Sequence, residues 1–179
     1  MDIIFALVLG FWVVIPAYAA NGFAPFARGR KRIDFSKNFF DGKPIFGPGK
    51  TWEGLFFAVF MGTMFGLLEI FLYPVLNPIA LENGLSLYKL SLFSVFCVAL
   101  GAMLGDMLGS FIKRRIKISR GKPAPLLDQL DFLFGAFLFA FFFFEIGLMS
   151  VLLYILITPV VHLTFCYIGN KIGIKKEPW

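Results

Sequence analysis

The chain has 179 residues, 59% of them hydrophobic and 18% aromatic, with a mean hydropathy of +0.81. A soluble domain of this length is not so apolar. The formal charge of +6 comes without any recognition module for nucleic acid, so that class of partner is set aside.

Five apolar segments are each close to the roughly 20 residues that a bilayer requires. In chain order they are Ile3–Ala20, Gly54–Pro74, Leu87–Ile112, Leu130–Gly147 and Leu148–Gly169. The fourth abuts the fifth with almost no loop between them. No strand pattern and no internal repeat accompanies them. The first segment ends Ala17-Tyr18-Ala19, which is similar to a signal-peptidase site. Its leading residues carry no Lys or Arg, and the positive charges follow the apolar run, so an uncleaved helix is expected.

The basic residues set the expected orientation. Seven Lys or Arg lie between Arg28 and Lys50 and six between Lys113 and Lys122. Lys171, Lys175 and Lys176 occupy the tail, and only Lys89 falls on the opposite side. The positive-inside tendency places the N-terminus outside, and both long loops and the C-terminus in the cytoplasm. The predicted fold is an all-α integral membrane protein of five transmembrane helices. Its basic face would attract anionic lipid or an anionic substrate.

The first long loop, Asn21 to Gly54, is rich in Gly, Pro and basic residues interleaved with Phe. A loop of this length is usually functional or disordered, and its six Phe and one Trp favour docking on the helices or the membrane surface. Gly47-Pro48-Gly49-Lys50-Thr51 is not a P-loop, because Pro44 stands where the motif needs Gly and no strand precedes it. Flexible backbone N–H groups, a lysine and a hydroxyl at a helix start still make a reasonable anion site.

Glu69 in the second segment and Lys89 at the start of the third are read as an interhelical or snorkelling pair. The Phe-rich stretch 137–144 is read as lipid-facing or packing surface. His162 is assigned a hydrogen-bonded packing role, and Pro159 is expected to kink the last helix. Cys97 and Cys166 are read as buried small residues, not a disulfide or zinc site.

The chemistry concentrates between Gly101 and Gly135. Asp106, Ser110, Lys113 and Lys117 fall at i, i+4, i+7 and i+11, one stripe of a helix. Asp128 and Asp131 share a face of the next. Gly101, Gly105 and Gly109 recur every four residues, the small-residue pattern that lets membrane helices approach closely. Asp128 and Asp131 can also cap their helix, and the basic loop can serve as a topology signal alone. Neither role needs Asp106, a carboxylate inside an apolar run, where a charge costs roughly 2.5–3.5 kcal/mol or more. The three aspartates are therefore read as ligands that hold Mg²⁺ against a nucleoside triphosphate, since Mg²⁺ prefers hard oxygen donors and phosphates.

Three groups of residues carry a family resemblance. They are Lys50-Thr51-Trp52-Glu53-Gly54, then Gly105-Asp106-x-x-Gly109-Ser110-x-x-Lys113-Arg114, then Asp128-x-x-Asp131. The sequence resembles the membrane cytidylyltransferases, which include the bacterial CDP-diacylglycerol synthases. Ala20-Asn21-Gly22-x-x-Pro25, the passage from Asp41-Gly42 to Gly54, and the short five-helix length resemble the archaeal branch. The resemblance covers essentially the whole chain and implies one membrane cytidylyltransferase domain, 1–179.

It also implies that CTP and a lipid phosphate react, with Mg²⁺, to give a CDP-lipid and pyrophosphate at the cytoplasmic side of the cell membrane. For the archaeal branch the lipid is an isoprenoid ether lipid, 2,3-bis-O-geranylgeranylglycerol phosphate. Asp106, Asp128 and Asp131 are the expected metal ligands. Lys50, Lys113 and Arg114 are expected on phosphates, Ser110 and Thr51 as hydroxyl donors, and Asn21, Arg115 and Lys43 as further contacts. The sequence lacks the extra N-terminal helices of the diacylglycerol enzymes. Lys122-Pro123-Ala124-Pro125 stands where they have His-Gly-Gly. Two other readings remain at this point: a CDP-alcohol phosphotransferase, whose paired acids are spaced D-x-x-x-D and not D-x-x-D, and a small cation channel or transporter using Asp106.

Overall fold

The computed structural model describes residues 2–27 and 29–173. Five α-helices run in chain order: α1 (Ile3–Phe23), α2 (Trp52–Glu82), α3 (Leu92–Arg115), α4 (Leu127–Ala140) and α5 (Leu148–Lys171), with a 3₁₀ turn at Ala24–Ala27. Among the described residues there is no β-strand, only two isolated bridges, Arg32 with Thr51 and Asn38 with Pro44. Among the described residues four helices, α1, α2, α3 and α5, are long and apolar enough to cross a membrane.

Polar side chains start these helices by satisfying backbone donors that have no partner within the helix. Asp2 accepts from Ile4 N, Thr51 from Gly54 N, and Ser91 forms a reciprocal capping box with Ser94. Lys113, Arg114 and Arg115 close α3, where cations suit the negative end of its dipole.

α2 departs from expectation. It runs on through Pro74 and Pro78 to Glu82, eight residues past the predicted end, because prolines within membrane helices are tolerated when local adjustment re-satisfies the freed carbonyls. Asn77 Oδ1 receives the N–H of Leu87 at 2.9 Å, which folds the connection back along the bundle. Leu85, Leu87 and Leu90 are buried in that connection, so α3 begins five residues later than predicted. The fourth segment also differs. α4 has 14 helical residues, about 21 Å at 1.5 Å per residue, and the chain then continues through turns. Asp128 meets Lys113 at the basic end of α3, while the Glu145 carbonyl accepts from Tyr88 Oη at 2.5 Å, beyond the other end of that helix. The path from 128 to 145 therefore connects the two ends of the bundle.

α3 and α4 pack almost backbone to backbone. A Cβ at Gly105 would lie 2.2 Å from the Asp131 carbonyl oxygen, and one at Gly135 would lie 2.2 Å from the Gly101 carbonyl oxygen. The rest of the core gathers around this pair. Val13, Val14, Val95, Val98, Phe132 and Leu133 are almost fully buried. Polar groups in a protein interior are stable only when hydrogen-bonded, and several side-chain tips find their partners across helices. Trp12 Nε1 donates to the Tyr88 carbonyl at 2.9 Å, Tyr154 Oη to the Leu7 carbonyl at 2.9 Å, and Tyr18 Oη lies 2.6 Å from Thr158 Oγ1.

The expected pairing of Glu69 with Lys89 is not formed. Glu69 is 3% exposed inside the bundle and neither of its oxygens has a hydrogen-bond partner, while Lys89 is exposed on the connection before α3. Among the described residues neither cysteine is in a disulfide; Cys166 is buried and Cys97 half-buried. The Phe-rich stretch divides as expected, with Phe137 and Phe144 inside and Phe141, Phe142 and Phe143 outside.

Residues 31–52 form a narrow hairpin. Its base is tied by Trp52 N to the Lys31 carbonyl and Ile33 N to the Lys50 carbonyl, and its tip by Phe39 N to the Lys43 carbonyl. Asp34 holds the middle. Its fully buried carboxylate pairs with the Arg32 guanidinium and accepts from the N–H groups of Ser36, Phe46 and Gly47. Burial alone would push the Asp34 carboxyl up, but Arg32 and these three N–H donors outweigh burial and hold it below its usual value. A depressed folded-state value means this stabilisation is complete above the unfolded carboxylate range and is lost as pH falls through the folded value. Hydrogen exchange of residues 34–47, corrected for intrinsic rates, should lose protection only below the ordinary carboxylate range. Asp34→Asn should lower protection at neutral pH and abolish that acid step. An acid step that survives in Asp34→Asn would place its origin elsewhere.

Candidate active site

The start of α2, the basic end of α3, the start of α4 and the base of the hairpin surround a cleft of about 960 Å³, at the upper end of the range for ligand sites. Seven of the predicted residues line it: Asn21, Lys50, Thr51, Asp106, Lys113, Asp128 and Asp131. The hairpin base positions Lys50. Its backbone is bonded to Ile33, its ammonium reaches into the bundle to Asp106, and the next residue, Thr51, caps α2. Gly29 packs against that cap, where a Cβ would come within 2.2 Å of Thr51 Oγ1.

Asp106 stands on α3 inside the bundle, and its carboxylate is paired with the Lys50 ammonium. Two turns on, Lys113 Nζ lies 2.5 Å from Asp128 Oδ1. The other Asp128 oxygen accepts from Ala124 N at 2.8 Å, which ties the preceding loop to the first turn of α4. Asp128 stands in that first turn, where its charge suits the helix dipole, but among the described residues no side chain hydrogen-bonds the start of α4 as a cap. Asp131 is 9% exposed, and its Oδ1 accepts from Phe132 N at 2.7 Å. A Cβ at Gly109 would lie 2.0 Å from its Oδ2. The glycine stripe that lets α3 and α4 touch therefore also makes room for this carboxylate. The charges of Asp106, Lys50 and Lys113 all act on Asp131.

Four cations, Lys50, Lys113, Arg120 and Lys122, share the cleft wall with the three carboxylates. Each partly buried acid next to a lysine is neutralised without being removed, and each lysine can exchange its carboxylate for a phosphate oxygen. Among the described residues no group of three or more His, Cys, Asp or Glu is gathered as a metal cage; Lys50 and Lys113 stand between the acids.

Other predicted contacts lie away from the cleft wall. Arg115 donates to the Pro44 carbonyl at 2.5 Å, pairs with Asp41 at 3.3 Å, and covers the rings of Phe39 and Phe111 at 4.9 and 4.7 Å. Lys43 Nζ donates to the Arg115 carbonyl at 3.1 Å. These two residues clamp the hairpin onto α3, which corrects the expectation that they face phosphate. Arg114 donates to the Ile118 carbonyl at 2.6 Å and passes beside Gly47. Ser110 is buried and does not line the cleft, although it shares the α3 stripe of Asp106 and Lys113.

His162, read from the sequence as a packing residue, lies on the cleft wall, with its ring 6.3 Å from that of Phe132 and Nδ1 3.5 Å from Cys166 Sγ. Asp34 escaped notice altogether. The Asp34-x-Ser36 spacing, which allows an aspartate to bond the backbone two residues on, was the available signal.

The family model described as CarS-like: CDP-archaeol synthase matches residues 1–179. The CDP-archaeol synthase of Pyrobaculum aerophilum is 41% identical over 176 residues, covering 97% of this chain and 99% of the relative. That of Methanocaldococcus jannaschii is 41% identical over 171 residues, covering 94% of each. A solved structure described as an intramembrane enzyme for archaeal membrane lipids biosynthesis superposes with a TM-score of 0.75 at 34% identity, covering 88% of this chain and 92% of that one. The likeness runs through nearly the whole of the chain, which is a multi-pass membrane protein that belongs to the CarS-like CDP-archaeol synthase family.

Proposed function

We propose that the protein transfers CMP from CTP to the phosphate of 2,3-bis-O-geranylgeranylglycerol 1-phosphate, forming CDP-archaeol and pyrophosphate. The observation that carries this reading is the cleft, where three aspartates, Lys50 and Lys113 converge from a hairpin and two helices at one end of an apolar bundle. Family membership supplies the substrate class. No observation favours the phosphotransferase or ion-channel readings over it.

In the reaction a lipid phosphate oxygen forms a bond to the α-phosphorus of CTP. The bond from that phosphorus to the β-phosphate bridging oxygen breaks, and pyrophosphate leaves with its electrons. A phosphate monoester is already an anion at neutral pH, so no strong general base is needed. The obstacle is repulsion between two polyanions. Lys50 and Lys113 meet this by moving from Asp106 and Asp128 onto phosphate oxygens, which leaves carboxylates facing the nucleotide. Thr51 and Asn21 line the same wall and supply neutral hydrogen-bond donors. Asp106, Asp128 and Asp131 would hold Mg²⁺. The donor chemistry fits, since all three offer hard oxygens and two already hold a cationic ammonium, although among the described residues the three are not gathered into a cage. When bound, Mg²⁺ supplies positive charge that offsets the repulsion and stabilises the leaving pyrophosphate.

The lipid tails stay in the bilayer while the headgroup reaches the cleft. The proposed topology has five passes, the N-terminus outside and the cleft on the cytoplasmic side of the cell membrane. The end-to-end path from Asp128 to Glu145 and the basic residues clustered around the cleft support it. In a background lacking Cys97 and Cys166, an impermeant thiol reagent should label Ser86→Cys but not Ser119→Cys in right-side-out vesicles. Labelling of Ser119→Cys would overturn the orientation.

Asp106→Asn, Asp128→Asn and Asp131→Asn should each remove nearly all Mg²⁺-dependent turnover while the protein remains folded. Lys50→Ala and Lys113→Ala should each lower kcat/KM for CTP by roughly ten- to a hundredfold, the worth of a charge-assisted hydrogen bond. Lys175→Ala, which lies outside the described residues, should do little. Substantial activity in all three Asn variants would remove the carboxylates from the mechanism. Equal, salt-suppressed losses in all three lysine variants would reduce the site to diffuse attraction.

A further inference from the structure

The hairpin that delivers Lys50 to the cleft has an opposite end that the reaction does not use. Its tip is the turn 39–43, closed by Phe39 N to the Lys43 carbonyl and Gly42 N to the Phe39 carbonyl, with Gly42 at φ +74°. Phe40, at this turn, is 98% exposed. Exposing a phenyl ring to water is unfavourable in proportion to its area, so its surroundings need an account.

The tip is fixed in space by α3. Phe39 packs edge-on against Phe111 with ring centroids 5.2 Å apart, and Arg115 covers both rings. Phe40 in turn packs on Phe39 at 5.0 Å. Leu104, Leu108, Phe111 and Arg115 follow one another at i, i+4, i+7 and i+11, a single stripe of α3. Leu104 and Leu108 are exposed on that stripe, 40% and 58%, within a helix that qualifies as a membrane span. They therefore face lipid. The stripe carrying Asp106 and Lys113 faces the cleft instead. The hairpin tip thus sits at the basic end of a lipid-facing stripe, one turn before α3 stops at Arg115. This is the depth at which apolar core gives way to headgroups. Lys37 near the tip and Lys31 at the base are exposed on the same hairpin.

We propose that the hairpin tip is a membrane anchor: Phe40 inserts into the interfacial layer beside α3, and the exposed cations of the hairpin engage anionic lipid headgroups. Apolar rings at this depth with lysines at the surface are the chemistry by which segments lie in a membrane interface. The anchor holds one end of a hairpin whose other end carries Lys50 and Thr51, so it steadies the cleft from outside. It goes beyond the transfer reaction and stands or falls independently of it.

The test is the depth of a nitroxide. In a background lacking Cys97 and Cys166, spin labels are placed at Phe40→Cys, at Leu108→Cys as a lipid-facing reference and at Ser119→Cys as an aqueous one. The full-length protein is held in vesicles of phosphatidylglycerol and phosphatidylcholine. Collision rates with oxygen, which partitions into lipid, and with a water-soluble nickel chelate are compared. The Phe40→Cys label should give an oxygen-to-nickel ratio several-fold above that of Ser119→Cys and on the side of Leu108→Cys. A ratio matching Ser119→Cys would mean that the tip stands in water. Protection from both reagents would mean that protein, such as a second copy of the chain, covers it. Either result overturns the anchor.

Discussion

The contact of α3 with α4 is the constraint from which the site follows. Helices can touch at the backbone only where side chains are absent, and Gly101, Gly105, Gly109 and Gly135 clear that seam. The gap at Gly109 holds the carboxylate of Asp131, and the seam leads to the ends where Lys113 meets Asp128. A methyl group at Gly105 would collide with the backbone of Asp131. It would thereby displace a cleft carboxylate without touching any ligand. Packing and chemistry are here one requirement, which is why acids deep in an apolar bundle are tolerated at all.

The second constraint is charge. Asp106, Asp128 and Asp131 are drawn partly out of water, and such groups are held only when paired and hydrogen-bonded. Lys50 pairs with Asp106 and Lys113 with Asp128, while Asp131 accepts from the backbone N–H of Phe132. The two lysines come from different parts of the chain, one from the hairpin and one from α3, so the site exists only when the hairpin is docked. Asp34 within the hairpin, and Arg115 and Lys43 at its junction with α3, keep it docked. The cations that neutralise the resting acids are the groups proposed to answer a triphosphate.

Much of this was legible in the sequence because it rests on helical spacing. The glycines at four-residue intervals, the Asp106 to Lys113 stripe and the Asp128, Asp131 pair are local patterns, and the structure puts all three on the α3–α4 seam or its cleft. The family resemblance carried by those motifs is matched over the whole chain. What local spacing could not give is contact between distant segments. Arg115 and Lys43 have the right charge for phosphate, but the fold uses both on the hairpin. Glu69 and Lys89 have opposite charges on the same side, yet the helix turns Glu69 inward away from the exposed lysine. The second apolar segment is bounded at Pro74 in the sequence, yet the helix continues through Pro74 and Pro78. The brevity of α4 is likewise invisible in a run of apolar residues, since hydropathy does not distinguish helix from the turns that follow it.

The central claim is a reaction at three clustered aspartates, two of them paired with lysines, and product formation tests it most directly. Purified protein in lipid nanodiscs would be given Mg²⁺, one nucleoside triphosphate at a time, and either an isoprenoid ether-lipid phosphate or a diacyl phosphate. The account predicts pyrophosphate and a CDP-lipid in equal amounts, with CTP and the ether-lipid phosphate both required. Pyrophosphate release that is indifferent to lipid phosphate, or no CDP-lipid under any combination, would contradict it.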